Sequence, residues 1–380
     1  MIPEFTADDL AVRDAVRRFA QNELAPRAAG FDESGAFVGA HLPGLSALGV
    51  MGLNLPEAWG GVGISALGLT GAVEEIAAAC AATASMVTAH FLATDAILIA
   101  GAQDQKARYL PGAAAGHLLG AFALSEPSAG SNPADMTTTA TPIPAGFHLR
   151  GVKHFISNAG KADFIVVFAR AEGAGPRPVI DAFVLDKATP GLSFAAPEPT
   201  MGMRGSHVFE ISIDCDVPAS QRLGAPGSGF RTAMQVLDRG RIEVAGLALG
   251  ICQAAMTATL GWIKDRRVDS QPLADRQGVQ WMVADMATEI EAARLLTYRA
   301  AALRQAEQPF ARAAAMAKLA ASETAGRVVD RALQLHGGYG YSRRLPLERL
   351  ARDARILRIY EGASEVQRNI IARFVLREGQ

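Results

Sequence analysis

Cysteine is scarce. The 380-residue chain has three, Cys80, Cys215 and Cys252, spaced too widely in sequence to form a redox pair or a metal-ligand cluster. A disulfide scaffold is therefore excluded, no metal site is expected, and a reducing cytoplasm is the expected setting. An excess of one charge is also missing. Lys plus Arg number 37 against 38 for Asp plus Glu, a net charge of −1. Such a balance gives no global attraction for nucleic acid or an anionic membrane. Met1-Ile2-Pro3-Glu4-Phe5 lacks the basic start and apolar stretch of a signal peptide, so none is expected. The most hydrophobic run, Val244 to Leu260, is shorter than a bilayer span and carries Gln253, so it reads as a buried helix without membrane insertion. No Lys or Arg occurs between Arg27 and Lys106, which points to a region facing the interior or partners. Internal repeats and low-complexity linkers are absent beyond an enrichment in alanine.

What is present suits a well-packed chain: 49% hydrophobic and 20% charged residues, at a length that calls for two or three domains. Thr6-Ala7-Asp8-Asp9 reads as a helix cap before Leu10, Val12, Val16 and Phe19 at helical spacing. The Ala-rich stretch from Leu67 to Ala100 predicts two buried helices. Strand character follows, in Phe164–Phe168, Ala182–Leu185 and the alternation of Phe209, Ile211, Ile213 and Cys215 with polar residues. From Gly229 the pattern returns to helix, with four helices predicted near 229–265, 274–305, 309–336 and 364–376. The expected organisation is a helical domain over 1–120, a β domain over 121–225 and a helical domain over 226–380.

Three motifs carry chemistry. Ile359-Tyr360-Glu361-Gly362-Ala363-Ser364-Glu365 sets a carboxylate between an aromatic and a glycine, where shielding from water would raise its pKa and make it a better base. Ser364 and Gln367 also have capping-box spacing, so a plain helix start is the competing reading. Phe122-Ala123-Leu124-Ser125-Glu126-Pro127-Ser128-Ala129-Gly130-Ser131-Asn132 joins an apolar run to a turn rich in small polar groups. Lys153-His154-Phe155-Ile156-Ser157-Asn158 places Phe155 and Ser157 two apart, hence on one face of a strand, able to stack and hydrogen-bond a flat ring.

In this order and at these separations, with Leu237-Asp238-Arg239-Gly240-Arg241, Asp265-Arg266-Arg267 through Gln277, and Gln334 through Gly340, the motifs resemble the acyl-CoA dehydrogenase family nearly end to end. The Leu237–Arg241 segment is most similar to short-chain, butyryl-CoA dehydrogenase-like members. The resemblance implies an α+β fold: an N-terminal helical domain, a small central β barrel and a C-terminal four-helix bundle. It implies FAD-dependent conversion of an acyl-CoA to the trans-2-enoyl-CoA, with electrons passed to an electron-transfer flavoprotein, in a homotetramer. Glu361 takes the place of the base that removes the α-proton. The family's alternative base position is occupied by Gly240, and Glu243 is the local substitute. Matching cofactor positions are Phe122, Leu124, Ser125, Phe155, Ser157, Arg266, Gln277, Gln334, Gly338, Ala363 and Glu365. Matching substrate positions are Ser131, Asp238, Arg241 and Gly362. With no glycine-rich dinucleotide fingerprint, the cofactor would be held by strands and helix ends.

Departures stand at Asn132, at Asp269-Ser270 near the expected flavin site, and at Ala363. Leu92 to Ile99 would form the pocket floor, with Thr94 and Asp95 adding polarity; Asp95 could equally face solvent or cap a turn. Two competing functions share the fold: a flavin oxidase or monooxygenase, and a DNA-associated relative.

Overall fold

The computed structural model describes residues 4–172 and 179–378. Thr6 opens the first helix, α1 (Ala7–Phe19), with a reciprocal capping box. Its Oγ1 accepts from the Asp9 amide at 3.1 Å while the Asp9 carboxylate accepts from the Thr6 amide at 3.0 Å. A π-helical turn leads into α2 (Ala25–Ser34), which ends where Gly35 turns left-handed; α3 (Leu42–Ala47) is a short connector. The Ala-rich stretch gives α4 (Ala66–Ala79) and α5 (Ala81–Ala100), broken only where Cys80 is extended, and α6 (Gln103–Ala114) follows.

The strands are β1 (Gly120–Ala123), β2 (Thr139–Ile143), β3 (Gly146–Ser157), β4 (Phe164–Ala171), β5 (Ile180–Asp186), β6 (Leu192–Phe194), β7 (Val208–Pro218) and β8 (Arg222–Leu223). They form one mixed sheet in the order β6-β7-β3-β2-β4-β5-β8, with β1 parallel to β4 so that Phe122 pairs with Val166. The expected barrel is thus an open sheet. Its end strands are three and two residues long, too short to supply a closing ladder.

The C-terminal helices are α7 (Gly229–Asp265), α8 (Gln277–Gln305), α9 (Ala311–His336), α10 (Leu347–Ile356) and α11 (Ser364–Glu378), with the hairpin β9 (Arg267–Val268) and β10 (Gln271–Pro272) after α7. At 37 residues α7 runs about 55 Å. It packs against α4, α5, α8 and α9. Small residues make that approach possible: a Cβ on Gly250 would collide with the Glu74 carbonyl of α4. Glu74 in turn is clasped by Arg294 at 2.6 Å and the Tyr298 hydroxyl at 2.9 Å, tying α4 to α8. Both α5 and α7 are long and apolar enough to cross a membrane, and the apolar windows are 89% and 61% buried inside the protein.

Candidate active site

Between α10 and α11 the chain reverses through two successive left-handed residues, Glu361 (φ +51°) and Gly362 (φ +92°). A glutamate in that conformation costs roughly 1 kcal/mol or more, so its surroundings must fix it there. They do. Gln367 Nε2 donates to the carbonyls of Gly362 (2.9 Å) and Glu361 (3.4 Å), and the buried Lys318 donates to Gly362 O at 2.7 Å. Ser364 donates to Glu323 at 2.6 Å instead of capping α11. The capping-box reading of Ser364 and Gln367 is therefore wrong: both side chains are spent on holding the loop.

The Glu361 carboxyl faces α7 where that helix has no side chain. A Cβ on Gly240 would sit 2.5 Å from Glu361 Oε2 and 2.6 Å from Leu92 Cδ2 of α5. Gly240 therefore makes room for the carboxyl. Glu361 Oε2 is sealed from water and has no hydrogen-bond partner. Burial pushes this carboxyl up to about 7 against the opposing pull of Lys318 and Arg241. One turn along α7, Glu243 is fully buried, 3.3 Å from Arg304, and its Oε2 is likewise unpartnered. Burial raises it to about 8; Arg304 opposes, while Asp95 and Glu361 add to the rise. Arg241 is buried and donates to Asp238, so the two hold one another, as their spacing of three allows. Lys318 is lowered to about 8 by burial, with Glu361 acting the other way.

Asp95 neither faces solvent nor caps a turn. It is buried, receives Arg239 at 2.9 Å and Asn54 Nδ2 at 3.1 Å, and Asn54 also donates to Thr94 at 2.9 Å.

The two sequence motifs of the β domain meet directly, because the His154 amide donates to Ser125 O at 3.0 Å. Phe122 and Leu124 are buried at and just after β1, Ser125 and Ser157 are half-buried, and Ser131 is exposed beyond the turn. Below them Lys153 and Glu126, both fully buried, pair at 2.8 Å. Burial alone would raise Glu126, but Lys153 and hydrogen bonds from Thr137 and Thr138 hold it down to about 2. Simple strand alternation does not set Phe155. The β3–β7 register slips between Lys153 and Ile156, and Phe155 is left-handed at φ +57°. This bulge turns the ring outward, 63% exposed, flat against His154 with centroids 4.1 Å apart and planes 4° apart.

Arg266, Gln277, Gln334 and Gly338 are exposed at the opposite end of α7. The helical rise puts Arg266 roughly 38 Å from Arg241 along the axis. Its guanidinium lies 6.0 Å from the Trp262 ring and 5.8 Å from that of Tyr339, and Trp262 stacks on His336 at 5.1 Å. Ala363 and Glu365 sit beside the Glu361 loop, Glu365 exposed. These sets fit the flavin dinucleotide expected from the sequence: a rigid aromatic platform with hydroxyls for a flat ring, and an exposed guanidinium for a pyrophosphate. Asp269 and Ser270 form the tip of the β9–β10 hairpin, where Asp269 pairs with Arg276 at 3.1 Å. Sequence reasoning gave no role to Lys318, Arg239 or Asn54, and the wrong one to Gln367. A lone lysine in the alanine run Ala313–Ala321 was the one legible signal.

Models of the acyl-CoA dehydrogenase N-terminal, middle and C-terminal domains match residues 6–117, 121–215 and 227–376. The chain is 42% identical to the mitochondrial short-chain specific acyl-CoA dehydrogenase of Homo sapiens, over 95% of this chain and 88% of that one. It is 40% identical to an acryloyl-CoA reductase (NADH) of Anaerotignum propionicum, over 98% and 95%. A chain in a structure solved for the electron transferring flavoprotein of Acidaminococcus fermentans and flavin-based electron bifurcation superposes with a TM-score of 0.96 at 39% identity, over 99% of this chain and 100% of that one.

Proposed function

Because this chain belongs to the acyl-CoA dehydrogenase family of FAD-dependent oxidoreductases, we propose that it oxidises a short acyl-CoA to the trans-2-enoyl-CoA with Glu361 as the base. The observation that carries this reading is the sealed, unpartnered Oε2 of Glu361 opposite Gly240. A carboxyl pushed up to about 7 is ionised in part at neutral pH yet basic enough to take a weakly acidic α-proton. Glu361 Oε2 receives that proton, and the C–H electron pair becomes the Cα=Cβ bond as the β-hydrogen leaves with its own pair. FAD supplies the acceptor for that hydride, a role no side chain fills. Lys318 and Gln367 hold the Glu361–Gly362 backbone so that the carboxyl and the adjoining amide keep their aim at the thioester. Arg241 with Asp238, Ser131 and Gly362 would position the CoA thioester. Phe122, Leu124, Ser125, Phe155 and Ser157 would seat the flavin ring, and Arg266 would neutralise the pyrophosphate.

The ring-binding and pyrophosphate-binding sets lie at opposite ends of α7, which supports an assembly in which the Arg266 end of one subunit completes the ring site of another. A homotetramer is the proposed form. The match to a chain studied with an electron transferring flavoprotein supports that class of protein as the electron acceptor. Three buried, unpaired cysteines support a reducing, cytoplasmic setting.

Anaerobic addition of butyryl-CoA to the yellow protein tests the reading. Rapid loss of the oxidised flavin band with formation of the enoyl product is the expected result. A flavin that no acyl-CoA bleaches overturns it. The 40% identity to an acryloyl-CoA reductase favours one second reading, the same chemistry run toward the saturated acyl-CoA with Glu361 returning the proton. Faster turnover of acryloyl-CoA under reducing conditions than of propionyl-CoA under oxidising ones would select it.

A further inference from the structure

Beside the base, buried polar side chains follow the hydrocarbon of Leu92. Glu361 and Leu92 both face Gly240 of α7, and Asp95 stands one turn beyond Leu92 on α5. Arg239 reaches Asp95 from the same α7 face as Glu243, one turn away. Burying such groups is costly unless each is hydrogen-bonded, and two are not fully so: Glu243 Oε2 and Asn54 Oδ1 are sealed without a partner. Thus buried oxygens lacking partners stand beside a guanidinium that is 27% exposed. A bare alkyl chain would leave them unsatisfied, and a terminal carboxylate would meet Asp95.

We infer that Arg239, Asp95 and Glu243 form a hydrogen-bonding far wall of the acyl pocket, selecting a short acyl-CoA that carries a neutral hydroxyl beyond its β-carbon. A hydroxyl both donates to a lone oxygen and accepts from Arg239. This inference rests on the dehydrogenase reading.

The test compares 4-hydroxybutyryl-CoA with pentanoyl-CoA, which differ by a hydroxyl for a methyl, and adds octanoyl-CoA and glutaryl-CoA. Anaerobic flavin reduction is measured with the wild type, and binding to Glu361→Gln by calorimetry. One satisfied buried hydrogen bond predicts a preference of about tenfold for 4-hydroxybutyryl-CoA in both readouts. The paired variant Asp95→Leu/Arg239→Met removes both charges together, a change buried ion pairs commonly tolerate. It should bind pentanoyl-CoA better than 4-hydroxybutyryl-CoA and admit octanoyl-CoA. Equal or better use of pentanoyl-CoA, octanoyl-CoA or glutaryl-CoA by the wild type overturns the inference alone. Failure of every acyl-CoA to bleach the flavin overturns the dehydrogenase reading and this inference with it.

Discussion

Glu361 combines three properties that a surface glutamate lacks: a left-handed backbone, a carboxyl oxygen without a partner, and a glycine on the facing helix. Its activity should follow its ionisation. Flavin reduction by a good substrate is expected to fall tenfold per pH unit below about 7, and the limb should vanish in Glu361→Gln, whose residual rate should be lower by about 10²–10⁴-fold. The stability consequence has the opposite sense. The folded group binds its proton more tightly than the unfolded one, near 4.5, so its contribution is full below that pH and is lost as pH rises through 7. Thermal melts should therefore show Glu361→Gln gaining on the wild type between pH 5 and pH 8. A constant difference across that range would mean the carboxyl is not buried in the protonated form. Gly240 belongs to the same argument. Gly240→Ala places a methyl against Glu361 and Leu92 and should cut flavin reduction at least tenfold while leaving the melt nearly unchanged.

At the scale of elements, two devices shape the regions proposed to hold the cofactor. The Lys153–Glu126 pair anchors the turn after β1 to β3 with both side chains fully buried. Lys153→Met strands a buried carboxylate and should cost about 3–5 kcal/mol, read as a lower Tm and faster loss of FAD on dilution. Because Glu126 is held down to about 2 against an ordinary 4.5, its share of stability is present above 4.5 and is lost as pH falls toward 2. The β9–β10 hairpin has left-handed φ at both tip residues, Asp269 (+50°) and Ser270 (+64°), the turn that favours Asn-Gly. Ser270→Gly should raise Tm by relieving roughly 1 kcal/mol, and a lower Tm would contradict that account. Much of this level was legible in sequence. The Thr6 cap, the helix pair in the alanine run and the β7 alternation all follow local rules. The bulge at Phe155 was not, because a left-handed aromatic is fixed by the β7 partner and His154 instead of by its own neighbours. The barrel failed for a similar reason: closure depends on edge strands too short to announce themselves.

Across the whole molecule, α7 decides what can meet. Its first turns carry Asp238, Arg239, Gly240, Arg241 and Glu243 to the loop after α10, and its far end carries Arg266 away from them. The motifs could be read from sequence because their residues lie close along the chain. The hydrogen-bonded cluster of Asp95, Arg239 and Asn54 could not, since it joins three segments through contacts that no spacing rule encodes. The same geometry predicts that Arg266→Ala weakens FAD retention, seen as colour lost on gel filtration, without changing acyl-CoA affinity of the loaded protein. The most direct test of the central claim is exchange of α-protons between butyryl-CoA and D₂O, compared for the wild type and Glu361→Gln carrying equal FAD. Exchange in the wild type with its loss in the variant, at unchanged substrate binding, is the predicted result. Exchange at the wild-type rate in Glu361→Gln would show that another group takes the proton.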